Sequence, residues 1–431
     1  MKIAFATLGC KVNRADTTAI REALPDEVEL VSFSQVADIY VINTCTVTAT
    51  ADRQSRQLVH RAHRRNPAAE VIVTGCLAEL NPAPLRKLSG VVAVEPNAAK
   101  PRLAETIAAR LGLHRLSWAS ISGRPEPRYV PHEVTRQPLK IQDGCDGGCT
   151  YCTVAAARGR PVSEPPDHVL ADLYSLGRQG CPEVVLAGID LGSYGRDLKP
   201  PSSLAALLTR VRRERPVWRV RLSSIEILQL TDAVIEQLQR GSGAICRHLH
   251  LPLQSGADPV LARMRRPYDA ETYASRVRAV KTRIPDLAIG VDVIAGFPGE
   301  TDADHRCTLE LLGDLRVSYL HVFPFSARPS TPAAALPHPV ERRVIRDRAR
   351  ALRALGATLW RDFRRAQQGR EVSVVVSARR RQQRLLAVSD QAIRVVLDGP
   401  ARLPGTVARV ELCELTTDGM AGRLVTEEVL Q

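Results

Sequence analysis

Short apolar runs alternate with stretches of helical periodicity over the first hundred residues. The apolar runs predict three strands, at residues 3–7, 38–43 and 71–74. The helical stretches between them cover residues 15–24 and 49–65. Strands that alternate with helices run parallel, because each helix returns the chain to the same end of the sheet. We therefore expect an N-terminal parallel α/β domain over residues 1–118.

A second and longer alternation follows residues 119–138, whose Pro, Gly, Ser and Arg content predicts a linker. Six apolar runs predict strands at residues 139–142, 183–187, 218–222, 248–251, 288–294 and 319–323. Helical patterns separate them at residues 166–178, 203–213, 232–240, 270–283 and 302–315. Six units are too few for a closed eightfold barrel, so we expect a partial (βα)6 barrel over residues 139–368, with its chemistry at the carboxyl ends of the strands.

The last part of the chain changes to a β pattern. After a basic helical segment at residues 340–365, short apolar runs predict strands at residues 371–376, 384–388, 392–397, 406–412 and 422–427. Five short strands predict a small C-terminal all-β, OB-like barrel over residues 369–431, of the kind that binds oligonucleotides. A basic cluster at Arg379, Arg380, Arg381 and Arg384 favours RNA, although a β cap with solvated charges is the alternative.

The charge balance favours a polyanionic partner. The 431 residues carry a formal net charge of +14, and only seven of the 60 basic residues are lysines. Arginine suits phosphate oxygens, although coding bias also explains such a composition. No apolar run is long enough for a membrane span or a secretion signal, so we expect a cytoplasmic protein. In that reducing setting the ten cysteines are ligands, catalytic thiols or buried small residues.

The strongest local motif is the CxxxCxxC spacing of Cys145, Cys149 and Cys152, in the loop after the first strand of the second alternation. Three thiolates cannot complete the tetrahedron of a structural zinc site. Three cysteines on a 4Fe-4S cluster leave one iron free to bind a small molecule. The alternative is a zinc knuckle whose fourth ligand comes from elsewhere in the chain.

A second trio of cysteines follows the three predicted N-terminal strands. Cys10, Cys45 and Cys76 come directly after residues 3–7, 38–43 and 71–74. The carboxyl ends of parallel strands meet at one edge of a sheet, where open α/β folds bind ligands. We therefore expect these thiols to lie together, although each alone is also typical of a buried small residue at a strand end.

The CxxxCxxC motif, with Tyr151 before its last cysteine, resembles the radical S-adenosylmethionine enzymes. Eight motifs along the chain together resemble the methylthiotransferases of that superfamily. These motifs are TLGCKVN (7–13), NTCTVT (43–48), TGC (74–76), QDGCDGGCTYC (142–152), LAGIDLGSYG (186–195), HLHLPLQSG (248–256), GVDVIAGFPGET (290–301) and LHVFPFSARPSTPAA (320–334). The resemblance implies an N-terminal cluster domain, a radical domain and a C-terminal RNA-binding barrel called TRAM.

The resemblance also implies cofactors and a reaction. Cys145, Cys149 and Cys152 would hold the 4Fe-4S cluster that cleaves S-adenosyl-L-methionine to a 5′-deoxyadenosyl radical, and Cys10, Cys45 and Cys76 would hold a second 4Fe-4S cluster that handles the inserted sulfur. Cys-Lys-Val-Asn at residues 10–13 and Thr-Cys-Thr-Val-Thr at residues 44–48 resemble the branch that converts threonylcarbamoyl-adenosine beside the tRNA anticodon to its 2-methylthio form. Other branches act on isopentenyl-adenosine or on a ribosomal-protein Asp.

Five further residues are expected at the S-adenosylmethionine site, namely Tyr151, Gly188, Glu226, Gln254 and Gly296. For the two glycines, ordinary turn chemistry is the alternative. The family implies two protein partners, an electron donor such as flavodoxin or ferredoxin and a sulfur donor. Outside the enzymes, an RNA-binding protein with structural metal sites fits the same cysteines and charge.

Overall fold

A parallel five-stranded sheet forms the N-terminal part of the computed structural model, which describes residues 1–112, 126–129, 135–241 and 243–425. The strands are β1 (Lys2–Thr7), β2 (Glu29–Val31), β3 (Ile39–Thr44), β4 (Glu70–Gly75) and β5 (Val91–Val94), in the order β2-β1-β3-β4-β5. The helices are α1 (Lys11–Glu22), α2 (Ala49–Arg65), α3 (Cys76–Leu80), α4 (Pro82–Arg86) and α5 (Leu103–Arg110). The three predicted strands and the α/β class are confirmed.

The middle strand of the N-terminal sheet, β3, contributes side chains to a hydrophobic cluster on each face of the sheet. All six residues of β3 are buried, as in parallel sheets that helices cover on both sides. One face packs a cluster that includes Tyr40 and Ile42, and the other packs a separate cluster that includes Ile39 and Val41. The alternation of these residues along β3 therefore joins two hydrophobic layers.

Six parallel strands form the central domain. They are β6 (Gln137–Lys140), β9 (Glu183–Ala187), β10 (Arg219–Leu222), β11 (His248–His250), β12 (Ala288–Ala295) and β13 (Tyr319–Pro324). Two parallel bridges connect β10 with β11, so the sheet runs in sequence order from β6 to β13. A short hairpin of β7 (Gln142–Asp143) and β8 (Val162–Ser163) lies beside the first strand. This arrangement confirms the partial barrel.

Helices cover the outer face of the central sheet. The short helix α6 (Val154–Arg158) contacts α3 of the N-terminal domain. The helices on the outer face are α7 (Pro166–Arg178), α8 (Leu204–Glu214), α9 (Asp232–Arg240), α10 (Asp258–Arg263), α11 (Ala270–Arg283) and α12 (Asp302–Leu315). Their apolar faces share one large core with alternate strand residues such as Val184, Val220 and Val291. The first strand begins at Gln137, inside the predicted linker of residues 119–138, most of which lies outside the described residues.

A closed five-stranded barrel follows the long helix α13 (Arg342–Arg365). Its strands are β14 (Glu371–Arg381), β15 (Arg384–Ser389), β16 (Arg394–Leu397), β17 (Val407–Leu415) and β18 (Met420–Leu424), in the order β14-β15-β16-β18-β17. Helix α13 packs Trp360 and Phe363 against the core of this barrel and Leu352 against the central core. The small barrel is thereby fixed to the central domain.

Two interfaces bring the domains together. Helix α1 packs along β6, the first strand of the partial barrel. From the other side, Arg219 and Arg221 of β10 donate to backbone carbonyls of the small barrel, including Ser373 O at 3.0 Å and Ser389 O at 2.9 Å. No helix in the described ranges has the length and apolar character that a membrane span requires.

Candidate active site

Three cysteines lie at the carboxyl ends of neighbouring N-terminal strands. Cys10 follows β1, Cys45 follows β3, and Cys76 begins α3 directly after β4. The three strands are adjacent and parallel, so the thiols share one rim of the sheet. The loop before Cys10 lies close to Cys45, because a Cβ added to Gly9 would be only 2.9 Å from Cys45 Sγ. The structure thus brings the three predicted residues of this trio together.

Side chains from the strand ends tie these loops to one another. Asn13 Nδ2 donates to Leu8 O at 2.8 Å and to Thr44 O at 3.0 Å. Asn43 Nδ2 donates to Asn13 O at 2.9 Å, and Thr44 Oγ1 donates to Thr74 O at 2.6 Å. Buried amides with such partners fix loop geometry. These residues were not predicted as site residues, although both asparagines fall inside the quoted motifs.

Two thiols of the first trio, Cys45 and Cys76, are buried, and Cys10 is exposed. Burial, with the nearby Cys76 and Cys10 sulfurs adding to it, raises the pKa of Cys45 to about 11. Thiols of this kind are protonated near neutral pH and become thiolates when a metal displaces the proton. Cys45 is therefore suited to bind a metal and is poorly suited to act as a free nucleophile.

The second trio lies in the loop between β7 and α6. Cys145 Sγ accepts the N–H of Gly147 at 3.2 Å, and Cys152 Sγ accepts the N–H of Val154 at 3.4 Å. Burial, with the charges of Asp190 and the other two cysteines adding to it, raises the pKa of Cys145 to about 11. Backbone N–H groups that point at sulfur are typical of iron-sulfur loops, where they tune the cluster.

The positions of the donor atoms can be compared with the geometry of a single zinc site. Ligands of a tetrahedral zinc–thiolate site lie about 3.8 Å apart, given Zn–S bonds of about 2.3 Å. Among the described residues, the groups of three donors that all lie within 4.8 Å of one another are His250, Asp292 and His321, and Cys145, Asp146 and Asp190. Neither cysteine trio forms such a group in the described part of the chain, so neither is already drawn together as the ligands of a single zinc ion would be.

Two of the predicted cofactor residues lie beside the second trio. The ring of Tyr151 packs edge-on against Phe297, with ring centroids 6.5 Å apart. Glu226 pairs with Arg266, whose Nη1 also lies 3.4 Å from Cys149 Sγ. Burial raises the pKa of Glu226, and the charge of Arg266 opposes that shift. Arg266 was not predicted, because its local sequence does not distinguish it from the many other arginines.

The other three predicted cofactor residues lie at strand ends. Gly188 follows β9, and its N–H donates to Ser223 Oγ at 3.2 Å. Gln254 has a positive φ of 72°, and its N–H donates to Asp292 O at 2.9 Å. Gly296 follows β12 and donates its N–H to Glu300, while its Cα faces Ile345 of α13. All three surround the carboxyl end of the partial barrel, and their contact with a cofactor stays a prediction.

A buried charge network connects the loops that carry the two trios. Asp16 of α1 pairs with Lys100 at 2.8 Å, with Lys140 at 2.6 Å and with Arg158 at 3.1 Å. Arg158 also pairs with Asp143 at 2.8 Å. The cations outweigh the effect of burial and hold the pKa of Asp16 well below its usual range. Because α1 begins after Cys10 and Asp143 precedes Cys145, the network fixes one trio relative to the other.

Polar residues also line the interior of the partial barrel. His250 Nε2 lies 3.1 Å from Asp292 Oδ1, and His321 Nδ1 lies 3.2 Å from the same oxygen. Burial acts to raise the pKa of Asp292, but hydrogen bonds from His250 and His321 outweigh it and lower that pKa to about 2. Ser224 Oγ lies 2.8 Å from His250 Nδ1. This group is therefore an ionised carboxylate that orients two imidazoles.

Comparison with known proteins assigns families to the two α/β parts. Residues 2–94 match a family described as "Uncharacterized protein family UPF0004", and residues 139–312 match the Radical SAM superfamily. The chain is 36% identical over 443 residues to "Threonylcarbamoyladenosine tRNA methylthiotransferase MtaB" of Bacillus subtilis, covering 100% of this chain and 98% of the relative. A relative of the same name from Aquifex aeolicus is 37% identical over 383 residues, covering 87% and 93%.

The chain belongs to the radical SAM methylthiotransferase family. A further member, "tRNA-2-methylthio-N(6)-dimethylallyladenosine synthase" of Chlorobium limicola, is 31% identical and covers 98% of this chain and 97% of the relative. Among solved structures, the radical S-adenosylmethionine methyltransferase TsrM from Kitasatospora setae superposes with a TM-score of 0.56 at 16% identity, covering 77% of each chain. Membership confirms an enzyme that uses S-adenosylmethionine and a 4Fe-4S cluster.

The methylthiotransferase presents its predicted RNA-binding arginines on a hairpin of the small barrel. Arg379, Arg380 and Arg381 end β14, and Arg384 begins β15. Two of the four are paired with carboxylates, Arg381 with Asp418 at 2.5 Å and Arg384 with Asp398 at 3.2 Å. All lie on the surface apart from the half-buried Arg384. Their contact with RNA stays a prediction.

Proposed function

We propose that this methylthiotransferase converts threonylcarbamoyl-adenosine, next to the anticodon of tRNA, to its 2-methylthio derivative. Five relatives that carry the threonylcarbamoyladenosine name are 33–37% identical to this chain and cover 78–100% of it. The observation that carries the proposal is that the two α/β parts each carry a cysteine trio and that the elements next to the trios are joined by the pairs of Arg158 with Asp16 and with Asp143.

The second trio is proposed to hold the cluster that binds S-adenosylmethionine. Cys145, Cys149 and Cys152 supply three thiolates, so one iron keeps an open position. When bound, the cluster would supply one electron to S-adenosylmethionine, and the 5′-deoxyadenosyl radical that this cleavage releases would abstract a hydrogen atom. The protein holds the loop closed, since Arg266 joins Cys149 to Glu226 and Thr150 N donates to Met264 O at 3.1 Å. A closed loop of this kind excludes water from a reactive site.

The first trio is proposed to hold a second 4Fe-4S cluster. Support comes from the shared rim of Cys10, Cys45 and Cys76, from the burial of Cys45 and Cys76, and from the open fourth position that three ligands leave. An open iron beside the substrate base would carry the sulfur that is inserted. Asn13 and Asn43 keep the three loops in register for that task.

The remaining surfaces are proposed to serve the partners. The outer face of α13 carries exposed arginines, including Arg343, Arg346 and Arg350, and the hairpin of the small barrel adds more. Together with the net charge of +14, they favour binding of the tRNA backbone. An electron donor such as flavodoxin or ferredoxin, a sulfur donor and a cytoplasmic setting complete the proposal.

The proposal is tested with reconstituted enzyme and anticodon stem-loop RNA. One RNA carries threonylcarbamoyl-adenosine and a matched RNA carries isopentenyl-adenosine, and nucleoside mass spectrometry measures the 2-methylthio product from each. We expect product from the first RNA and at least about 100-fold less from the second, given a discrimination of about 3 kcal/mol. Product from the second RNA alone would assign the enzyme to the isopentenyl branch.

A further inference from the structure

The last strand of the partial barrel turns three ring-bearing side chains towards the barrel interior. Along β13, Leu320 and Val322 pack against the core beneath the outer helices. Because neighbouring residues of a strand point to opposite faces, Tyr319, His321 and Phe323 point inwards. In the described part of the chain, β13 is also the last strand of its sheet, so this inner wall lies at the open edge of the barrel.

His321 is held by one ring nitrogen and keeps the other. Its Nδ1 lies 3.2 Å from Oδ1 of Asp292, the residue beside it on β12. An ionised carboxylate only accepts hydrogen bonds, so a neutral His321 carries its proton on Nδ1 and leaves Nε2 as an acceptor. Within the described ranges no polar partner contacts this Nε2, and 54% of the side chain is exposed. His250, in contrast, has a partner at each nitrogen, Ser224 and Asp292.

Phe323 is an aromatic side chain that the fold leaves uncovered. It is 39% exposed. Its neighbour on β12, Ile294, packs into the cluster of Phe297 and Phe325, whereas Phe323 belongs to none of the hydrophobic clusters of the described residues. A single exposed ring is ordinary on an outer surface. A ring that faces the barrel interior is instead suited to stack on a planar ligand.

The segment after β13 contacts the loops of both cysteine trios. Phe325 packs edge-on against Phe297, with ring centroids 5.3 Å apart, and Phe297 packs in the same way against Tyr151 in the loop of the second trio. Ser326 Oγ accepts the N–H of Ala49 at 3.1 Å, where α2 follows the loop of the first trio. The uncovered ring and imidazole therefore lie on the wall that joins the two trios.

We propose that Phe323 and His321 bind the target adenine after it leaves the base stack of the anticodon loop. An enzyme that modifies a base takes it out of the stack and holds it by stacking and by hydrogen bonds to its edge. Phe323 stacks on the face of the adenine, and His321 Nε2 accepts the N–H of its exocyclic N6. The inference rests on the proposed function, since it takes the substrate to be an N6-modified adenine in RNA.

S-adenosylmethionine also carries an adenine with an exocyclic N–H, so the same side chains could serve the cofactor. The position of the wall favours the RNA base. The cofactor has to reach only the second trio, whereas the target base receives sulfur from the first trio and loses a hydrogen atom beside the second. The two adenines are separated by measuring the binding of each.

The test measures binding of RNA with and without the target base. Anticodon stem-loops carry either threonylcarbamoyl-adenosine or an abasic site at the same position, and full-length reconstituted enzyme gives a Kd for each and for S-adenosylmethionine. The variants are Phe323→Leu, which removes the ring, Phe323→Tyr, which keeps it, and His321→Phe, which removes both nitrogens. The matched controls are Tyr174→Leu and His168→Phe, two residues of α7 with comparable exposure. Iron content checks that each variant retains its metal.

We expect the wild-type enzyme to bind the adenine-bearing RNA about 5- to 100-fold more tightly than the abasic RNA. Phe323→Leu should remove most of this difference and Phe323→Tyr should keep it, because stacking needs the ring. His321→Phe should weaken binding of the adenine-bearing RNA alone by about 3- to 10-fold. The Kd for the abasic RNA and for S-adenosylmethionine should stay unchanged in every variant, and the two controls should resemble the wild type.

Equal affinity of the wild type for the two RNAs would overturn the base site. An equal loss of affinity for both RNAs in Phe323→Leu would also overturn it, since the ring would then contact the backbone or support the fold. Weaker binding of S-adenosylmethionine with unchanged binding of RNA would assign the two side chains to the cofactor. The proposed function fails on a different result, namely methylthio product from the isopentenyl-bearing RNA alone.

Discussion

Arg328 of the central domain donates from Nη2 to Thr46 Oγ1 of the N-terminal domain at 2.8 Å. Thr46 directly follows Cys45, and Arg328 also pairs with Asp52 of α2. Both partners of that ion pair are largely buried, with side chains 11% and 14% exposed. The contact fixes the loop of the first cysteine trio to the loop after the last barrel strand.

Removing the contacts of Arg328 should reduce methylthio transfer more than it reduces the formation of 5′-deoxyadenosine. We expect Arg328→Gln to reduce methylthio product by about 10-fold or more, because small misplacements of a reacting group are costly, while 5′-deoxyadenosine formation falls much less. The measurement is the ratio of the two products in one assay. Arg306→Gln, an exposed arginine of α12, is the control, and an unchanged ratio in Arg328→Gln would show that the contact does not position the loop.

Low pH should lower the free energy of unfolding, because it protonates Asp292. Its pKa is lowered to about 2 by His250 and His321, which outweigh burial, whereas an unfolded Asp titrates near about 3.9. A carboxyl whose pKa is lower in the folded state contributes stability above the unfolded value, and that contribution disappears as pH falls towards the folded value. The contribution amounts to about 2 kcal/mol at neutral pH.

The variant Asp292→Asn tests this pH dependence. We expect its thermal midpoint to lie below that of the wild type at pH 7, with the gap narrowing between about pH 5 and pH 3. Asp347→Asn, which breaks an exposed pair with Arg350 on α13, should differ little from the wild type at any pH. A gap of constant size from pH 7 to pH 3 would assign the effect of Asp292→Asn to packing.

The glycine before Cys10 offers a test of the first trio without removing a cysteine. Gly9 has a φ of +94°, and a Cβ there would lie 2.9 Å from Cys45 Sγ. We expect Gly9→Ala to displace the Cys45 thiol and lower the iron content by about four atoms per chain, one cluster's worth. Gly112→Ala carries similar backbone strain, with a φ of +69°, but its Cβ would meet nothing within 4 Å. Equal iron in both variants would argue against a metal at this trio.

The arginine hairpin should affect binding of RNA and its salt dependence. Arg379 and Arg380 have no carboxylate partner among the described ion pairs. Changing both to Gln should weaken tRNA binding and lower the salt slope by about 0.9 for each phosphate that the variant no longer neutralises. The control is Arg102→Gln, an arginine that is 81% exposed on the N-terminal domain. An unchanged slope in the double variant would leave these arginines a role in solubility alone.

The pattern of the sequence predicted the regular elements well, because alternation and helical periodicity are local. Helices α2, α7 and α11 begin and end where the pattern places them. Strand β2 was missed because its three residues are mostly exposed and leave no apolar run. The apolar run of β5 carries the usual signal, but it was not included among the predicted strands.

The site was predicted only where local spacing marks it. The six cysteines follow strand ends or a short motif, so their grouping could be expected from the sequence. The pairs of Asp16 with Lys140 and of Glu226 with Arg266 join residues 124 and 40 positions apart. Long-range ion pairs of this kind depend on how domains pack, and no local pattern indicates them.

The most direct test of the account is the iron and acid-labile sulfide content of anaerobically reconstituted protein. The wild type should hold about eight irons and eight sulfides per chain, two clusters of four each. Changing Cys10, Cys45 and Cys76 together to Ala should leave about four of each, with 5′-deoxyadenosine still formed and no methylthio product. Zinc in place of iron, or a wild type that holds four irons and still makes the product, would contradict a cluster at each trio.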